Sequence, residues 1–344
     1  MYNANVVEQA INDIQKAISS TDVSGLLLVR EDLQAEMAIS APTDTPLRNR
    51  LGRIQGNGKA HAWYQLVPTT STGAESAGHL FLGTDPESGF FDKGGLPTAS
   101  LPSYKFKSAP YVSLGDVVTV SFFEQMAGGN YTDIKKHQIK VKMLNVALME
   151  EWAIINGDSG TNPLAFDGLK VQITTNADTA ANLYGAATTV KLLKAITELE
   201  RRIVAVGGKP QCVVLSYRDL ADASNTILTS FYRLMQSGAG TLADIPAGVS
   251  VSRWVSPFGT VDLIGSRYIV PDNTGKDFAL VLDDKTVLED GNAIQMVDLM
   301  PLSAIDLALI QSAYRTLVAE FTVLQITAES FQGKITDIGT GDLG

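Results

Sequence analysis

The spacing of apolar residues divides the chain into stretches of different character. Between residues 4 and 19, Val7, Ile11, Ile14 and Ile18 recur at helical spacing and form one stripe. This predicts a short amphipathic helix that needs a partner surface. Past Thr21 the period fades into extended chain punctuated by Pro42 and Pro46, then the basic cluster "LRNRLGRIQGNGK". Residues 1–55 read as an arm. "AHAWYQLV" and "YKFKSAPYV" then read as strands, and the Gly-, Pro-, Ser- and Thr-rich sequence between Thr69 and Pro102 has no period of 3.6 or 2. Structureless stretches this long are uncommon inside a compact domain. From Ala60 to about Tyr111 the chain is therefore either an active-site lid or a segment that lies against another subunit; two strands joined by a long tip suggest an extended hairpin, marginal alone and ordered by a neighbour.

The strongest helical period runs over residues 132–156, where Ile134, Val141, Leu144, Leu148, Trp152 and Ile155 share a face. At 1.5 Å per residue this helix is roughly 37 Å long. Its charges oppose its dipole: Lys135, Lys136, Lys140 and Lys142 sit toward the N-terminal end, Glu150 and Glu151 toward the C-terminal end. Compensation is expected from outside the helix, by pairing of Lys140 and Lys142 with another subunit. Gly157 is the expected stop. Asn162-Pro163 and Asp167-Gly168 are turn dipeptides, and "LKVQITT" alternates as a half-buried strand.

From residue 176 helices and strands alternate. Thr188 or Thr189 can cap a helix with Leu192, Ile196, Leu199, Ile203 and Val206 on one face, ended by Gly207-Gly208. "PQCVVLS" follows as a strand, Ser216 can cap "YRDLADASN", and short strands surround "VSVSRWVS", "VDLIGSRYIV" and "FALVLD". This is an α/β lobe. The closing "YRTLVAEFTVLQITAESFQGKITDI" reads as a strand pair or a bent strand.

Composition narrows the function. With 344 residues, 45% hydrophobic, the chain can bury a substantial core in two or three lobes. No apolar run, Leu26 to Val29 being one of the clear short ones, approaches a membrane span of roughly 18 residues. The N-terminal stretch lacks a secretory pattern, so synthesis and function in a cytosol are expected, with no membrane partner. The single cysteine, Cys212, excludes an internal disulfide and reads as a buried core thiol. A net charge of −10 argues against tight binding of nucleic acid by phosphate neutralisation.

No catalytic constellation emerges. Gly157-Asp158-Ser159-Gly160 carries the letters around a serine-protease nucleophile, but a triad needs a histidine base, and His61, His79 and His137 are poorly placed. Ser159 reads as a turn residue. "GNGKA" fails the phosphate-loop pattern at Arg53 and Ala60. The sequon at Asn130 is a chance match without a secretory route. Asp283-Asp284 and Glu289-Asp290 read as solvated loop acids. Arg48, Arg50 and Arg53 are expected to meet an acidic surface of a neighbour. No cofactor or metal is expected.

The helix end "MEEWAIINGDSGTNPLAFDGL", with Gly157, Asp158, Asn162, Pro163, Phe166, Asp167 and Gly168, resembles the spine helix and following turn of the major capsid proteins of tailed double-stranded DNA bacteriophages, the Hong Kong 97-type fold. "TPLRNRLGRIQGNGKAHAWYQL" resembles the end of that family's N-terminal arm and the first strand of its extended loop. "LLKAITELERRIVAVGGKPQCVVLSYRDL" resembles its axial-domain helix and strand, and the closing strands resemble its peripheral domain.

The resemblance implies an α+β fold with an arm at 1–55, an extended loop at 56–119, a peripheral domain at 120–175 and 306–344, and an axial domain at 176–305. It implies a homo-oligomeric shell protein, assembled in the host bacterial cytoplasm into the virion capsid. Pentamers and hexamers would enclose double-stranded DNA without sequence-specific binding, with a portal protein at one vertex. The arm would lash capsomers together. An arm this short makes a fused scaffolding segment unexpected, so a separate scaffolding protein, or none, is expected; a decoration protein remains open. Some members crosslink through a lysine of the extended loop. Lys93 lies in that region, but "DKGG" is equally a turn and noncovalent locking is the expectation. The alternatives are an encapsulin-like nanocompartment and an α/β enzyme with residues 69–102 as a lid.

Overall fold

The computed structural model describes residues 43–339 apart from 68, 71–79, 82–89, 97–102, 129–132, 184–191, 226–251, 289–290 and 310–311. The amphipathic stretch at 4–19, the sequon, the Thr188/Thr189 cap, Glu289-Asp290 and most of the 69–102 tip lie outside these residues.

The first described element is a single helical turn, α1 (Pro46–Arg50), with proline at its start, where a missing N–H costs nothing. It leads into β1 (Gly52–Gln55). Next come the hairpin strands β2 (Ala60–Val67) and β3 (Ser103–Pro110), antiparallel from Ala60 opposite Pro110 to Val67 opposite Ser103. The following strand, β4 (Val112–Ser121), feeds the short α2 (Phe122–Gly128) and the long α3 (Ile134–Asn156). Asp133 caps α3 by accepting from the Lys136 N–H at 3.1 Å.

After α3 come the one-turn α4 (Leu169–Gln172), β5 (Ala177–Thr179), α5 (Ala180–Leu183) and α6 (Leu192–Ala205). The strands β6 (Cys212–Ser216), β7 (Arg253–Ser256), β8 (Gly259–Ser266) and β9 (Asp277–Leu282) follow. The chain closes with β10 (Ile294–Asp306), β11 (Ala313–Ile326) and β12 (Gly333–Ile338). Helical residues at 217–225 begin where Ser216 Oγ accepts from the Asp219 N–H at 3.1 Å, the cap its position predicts.

Two sheets organise these elements. One has the order β1-β10-β11-β4, with β1 parallel to β10 and the other pairs antiparallel. The second has the order β5-β12-β9-β6-β8-β7. One apolar cluster joins α1, the end of α3, and both sheets through Leu47, Ile154, Ile155, Leu169, Leu280 and Leu324. A second packs α6 on the six-stranded sheet through Leu192, Ile196, Leu199 and Ile203, which realises the predicted stripe. A third lies between β4, β11 and the front of α3.

Several expectations change. Sheet pairing divides the chain differently from the expected boundaries: β4 begins at 112 and joins the sheet of β10 and β11, while β12 joins the strands of the 176–305 region. Residues 46–55 belong to the body, because β1 pairs with β10 over its whole length. "LKVQ" is helical: Leu169 and Ile173 are buried one turn apart, a spacing that a run this short shares with alternation. The buried face of α3 is Val146, Ala147, Glu150, Glu151, Ala153, Ile154 and Ile155. Of the expected face only Ile155 is fully buried; Ile134, Val141, Leu144 and Leu148 are half-buried, and Trp152 is 48% exposed. The glutamates displaced the pattern, since charge alone would turn them outward.

Candidate interaction surfaces

The buried glutamates have partners delivered by α1 and β1. Glu151 accepts the N–H groups of Leu47 at 3.0 Å and Arg48 at 2.6 Å. Glu150 pairs with the guanidinium groups of both Arg48 and Arg53. Arg53 also reaches Asp298 Oδ2 at 2.9 Å, whose other oxygen accepts from Thr322 Oγ1 at 2.7 Å. Glu320, fully buried on β11, lies 3.7 Å from Arg48, and neither of its oxygens has a hydrogen bond. Two arginines thus face three carboxylates. Burial first, then repulsion from Glu150, raises the Glu320 carboxyl well above the usual range, against the pull of Arg48 and Arg53.

Arg50 makes a second clamp, to Asp284 at 2.6 Å and Asp262 at 2.8 Å. Asp283 and Asp284 are buried, not solvated: Asp283 accepts from the N–H groups of Lys209 at 2.8 Å and Thr286 at 3.0 Å. The three arginines therefore meet acidic surface within their own chain, which corrects the expected contact with a neighbour. The charges of α3 are likewise answered internally. Lys142 pairs with Asp116 at 2.6 Å and Lys135 with Asp306 at 2.8 Å. Lys140 is exposed.

The turn after α3 closes on itself. Gly168 N–H donates to Gly157 O at 2.8 Å, and Ser159 N–H donates to Asp167 Oδ1 at 2.8 Å. A Cβ on Gly157 would lie 2.4 Å from Phe166 O, and one on Gly168 would lie 2.6 Å from Ala153 O. Both glycines serve close backbone approach. Gly157 caps the C-terminal end of α3 as expected, at φ −53°. Asp158 tightens the turn through Thr161 Oγ1 and the Gly160 N–H, and Asn162 Oδ1 accepts from Leu164 N–H at 3.1 Å. Pro163 and Phe166 line a cleft between this turn and the hairpin base. His61 contacts Gln325 Oε1 at 2.9 Å, so it is engaged away from Ser159. Burial pushes the Cys212 thiol up to about 12.

The hairpin carries apolar surface outward. Tyr64 and Phe106 pack with ring centroids 5.3 Å apart yet are 66% and 58% exposed, and Tyr104, Phe90 and Leu96 are exposed as well. Lys93 sits in an exposed turn where Gly95 N–H donates to Asp92 O at 2.8 Å. Sequence reasoning missed the hairpin's exposed aromatics as a surface, although alternation of Tyr64, Tyr104 and Phe106 with their neighbours carries the signal. Among the described residues no group of three or more His, Cys, Asp or Glu side chains could hold a metal ion, and no helix is long and apolar enough to cross a membrane.

A long helix beside a four-stranded sheet, an α/β lobe and a projecting hairpin make up the fold of shell-forming capsid proteins, and solved structures of that class match along nearly the whole chain. The capsid of a native GTA particle aligns with a TM-score of 0.61 at 12% identity, over 94% of this chain and 99% of that one. The holo-SrpI encapsulin complex from Synechococcus elongatus PCC 7942 aligns at 0.58 and 13% identity, over 94% and 97%. A protein of Mycobacterium phage Bobi aligns at 0.55 and 14%, over 94% and 100%. A search of curated proteins returned no match. The family model for the SU10 major capsid protein matches residues 115–338, and the chain belongs to that family. It is a major capsid protein, a subunit of a homo-oligomeric virion shell.

Proposed function

We propose that this subunit closes into pentamers and hexamers of an icosahedral head around the double-stranded DNA genome of a tailed bacteriophage. Assembly takes place in the host bacterial cytoplasm, with a portal protein at one vertex and scaffolding and decoration proteins as further partners. The subunit's role is structural, and the acidic chain contains DNA without reading its sequence. One observation carries this reading: the two-stranded hairpin turns Tyr64, Tyr104 and Phe106 to solvent. A lone hairpin is marginal in water, and exposed aromatics of this kind mark an interface. The hairpin is covered by a sister copy, and Lys93 and Lys140 face neighbouring subunits without covalent linkage.

Electron microscopy of the purified protein tests the proposal. Closed shells with pentameric and hexameric units are expected, and a boiled denaturing gel of those shells is expected to show only monomer. A compact monomer in solution overturns it. The fold shared with SrpI makes a nanocompartment the second reading; shells from infected cells that hold a protein cargo and no DNA would favour it.

A further inference from the structure

The hairpin strand β3 carries Lys105 and Lys107 two positions apart, on the face opposite Tyr104 and Phe106. Lys170 of α4 and Lys334 of β12 form a second pair, joined where the Lys334 ammonium donates to the Lys170 carbonyl at 2.7 Å. One carboxylate, Glu329, attracts both Lys107 and Lys334. It is already engaged by neutral donors, accepting from the N–H groups of Thr174 at 2.7 Å and Thr175 at 2.6 Å and from both threonine hydroxyls. Four cations thus share one occupied carboxylate, in a chain whose net charge is −10.

The excess is not compensated within the subunit. Among the described residues none of the four lysines is ion-paired, whereas the buried carboxylates are served by Arg48, Arg50, Arg53 and Arg218. Burial lowers the pKa of Lys107 and of Lys334, and repulsion from Lys105 and Lys170 adds to it against the pull of Glu329. Lys105 and Lys170 are exposed, so an anion from outside can reach them. In a homo-oligomeric shell the abundant acidic surface is that of another copy, which displays exposed carboxylates such as Asp92 and Asp272. We propose that Lys105, Lys107, Lys170 and Lys334 form a docking surface for carboxylates of a neighbouring copy. The proposal rests on the shell reading and adds to the hairpin's aromatic face a charged one, which fixes the register between copies.

The test uses shells assembled from a mixture of light-nitrogen and heavy-nitrogen subunits and treated with a carbodiimide, which joins a lysine amine to a carboxylate it touches. Cross-linked peptides are expected to pair one of the four lysines in one isotope with an aspartate or glutamate in the other. Cross-links confined to a single isotope, or none at these lysines, overturn the proposal while leaving the shell intact. Failure to form any shell overturns it together with the shell reading. Lysines shielded from acetylation only in shells that hold DNA would assign the patch to phosphate groups, which also overturns it. As a second measurement, Lys105→Glu with Lys170→Glu, both at exposed positions, is expected to raise the free-subunit fraction about tenfold at low salt, with the Tm of the isolated subunit unchanged. Lys105→Arg with Lys170→Arg is expected to assemble as the native chain does. Equal assembly of the two variants counts against docking.

Discussion

Arg50 Nε lies 2.6 Å from Asp284 Oδ2, joining the turn before β1 to the loop after β9 across 234 positions. Its Nη1 reaches Asp262 at 2.8 Å and its Nη2 reaches the Gln211 carbonyl at 3.2 Å, so one planar fork ties α1 to the six-stranded sheet. Arg50→Ala leaves Asp284 buried without a counter-charge and is expected to cost about 3 kcal/mol. Arg50→Lys recovers only part, because a point charge cannot fill the fork. Urea unfolding of both variants checks this.

Glu320 makes stability depend on pH. Its folded value lies above the ordinary 4.5, at about 8, so the protonated form is favoured by the fold. The contribution is full below the unfolded value, declines as pH rises, and is gone above the folded one. The native protein is expected to lose several degrees of Tm between about pH 4.5 and pH 8, and to change little above that. Glu320→Gln, neutral throughout, is expected to flatten that slope; a slope identical in both proteins would assign the effect to other groups.

The turn glycines have different tolerances. Gly157→Ala and Gly168→Ala drive a methyl group into backbone carbonyls, which cannot move aside as a side chain can. Each is expected to cost about 3 kcal/mol, at the upper end for overpacking. At Gly160 the nearest atom is the Asp158 side chain at 3.1 Å, so Gly160→Ala is the mild control. Thermal melts of the three variants separate them.

Lys142 and Lys140, two positions apart, are expected to differ. Lys142→Ala breaks a half-exposed pair with Asp116 and is expected to cost about 0.5 kcal/mol, with assembly unchanged. Lys140→Glu, on the exposed side, is expected to leave Tm unchanged and lower the yield of closed shells. An unchanged shell yield would assign Lys140 to solvent alone.

Much of the fold was legible where one face decides the pattern. The stripe of α6, the strands at 212–216 and 277–282, the cap at Ser216 and the buried Cys212 follow from period and local chemistry. The face of α3 was misread. Glu150 and Glu151 repeat at positions that pattern reading assigns to solvent, and they are buried because Arg48, Arg53 and two backbone N–H groups arrive from about a hundred residues away. Asp283 and Asp284 were misread for the same reason.

Local sequence by itself determined many of the elements, because helix and strand periods, caps and turn glycines act within a few residues. It also determined that the chain is acidic and has one thiol. Only the tertiary structure decided which charges are buried, which sheet receives β4 and β12, and that Trp152 and the hairpin aromatics are exposed within the described subunit. Those outcomes depend on partners distant in sequence: a charge or an aromatic ring has no fixed side until the groups that satisfy or cover it are in place.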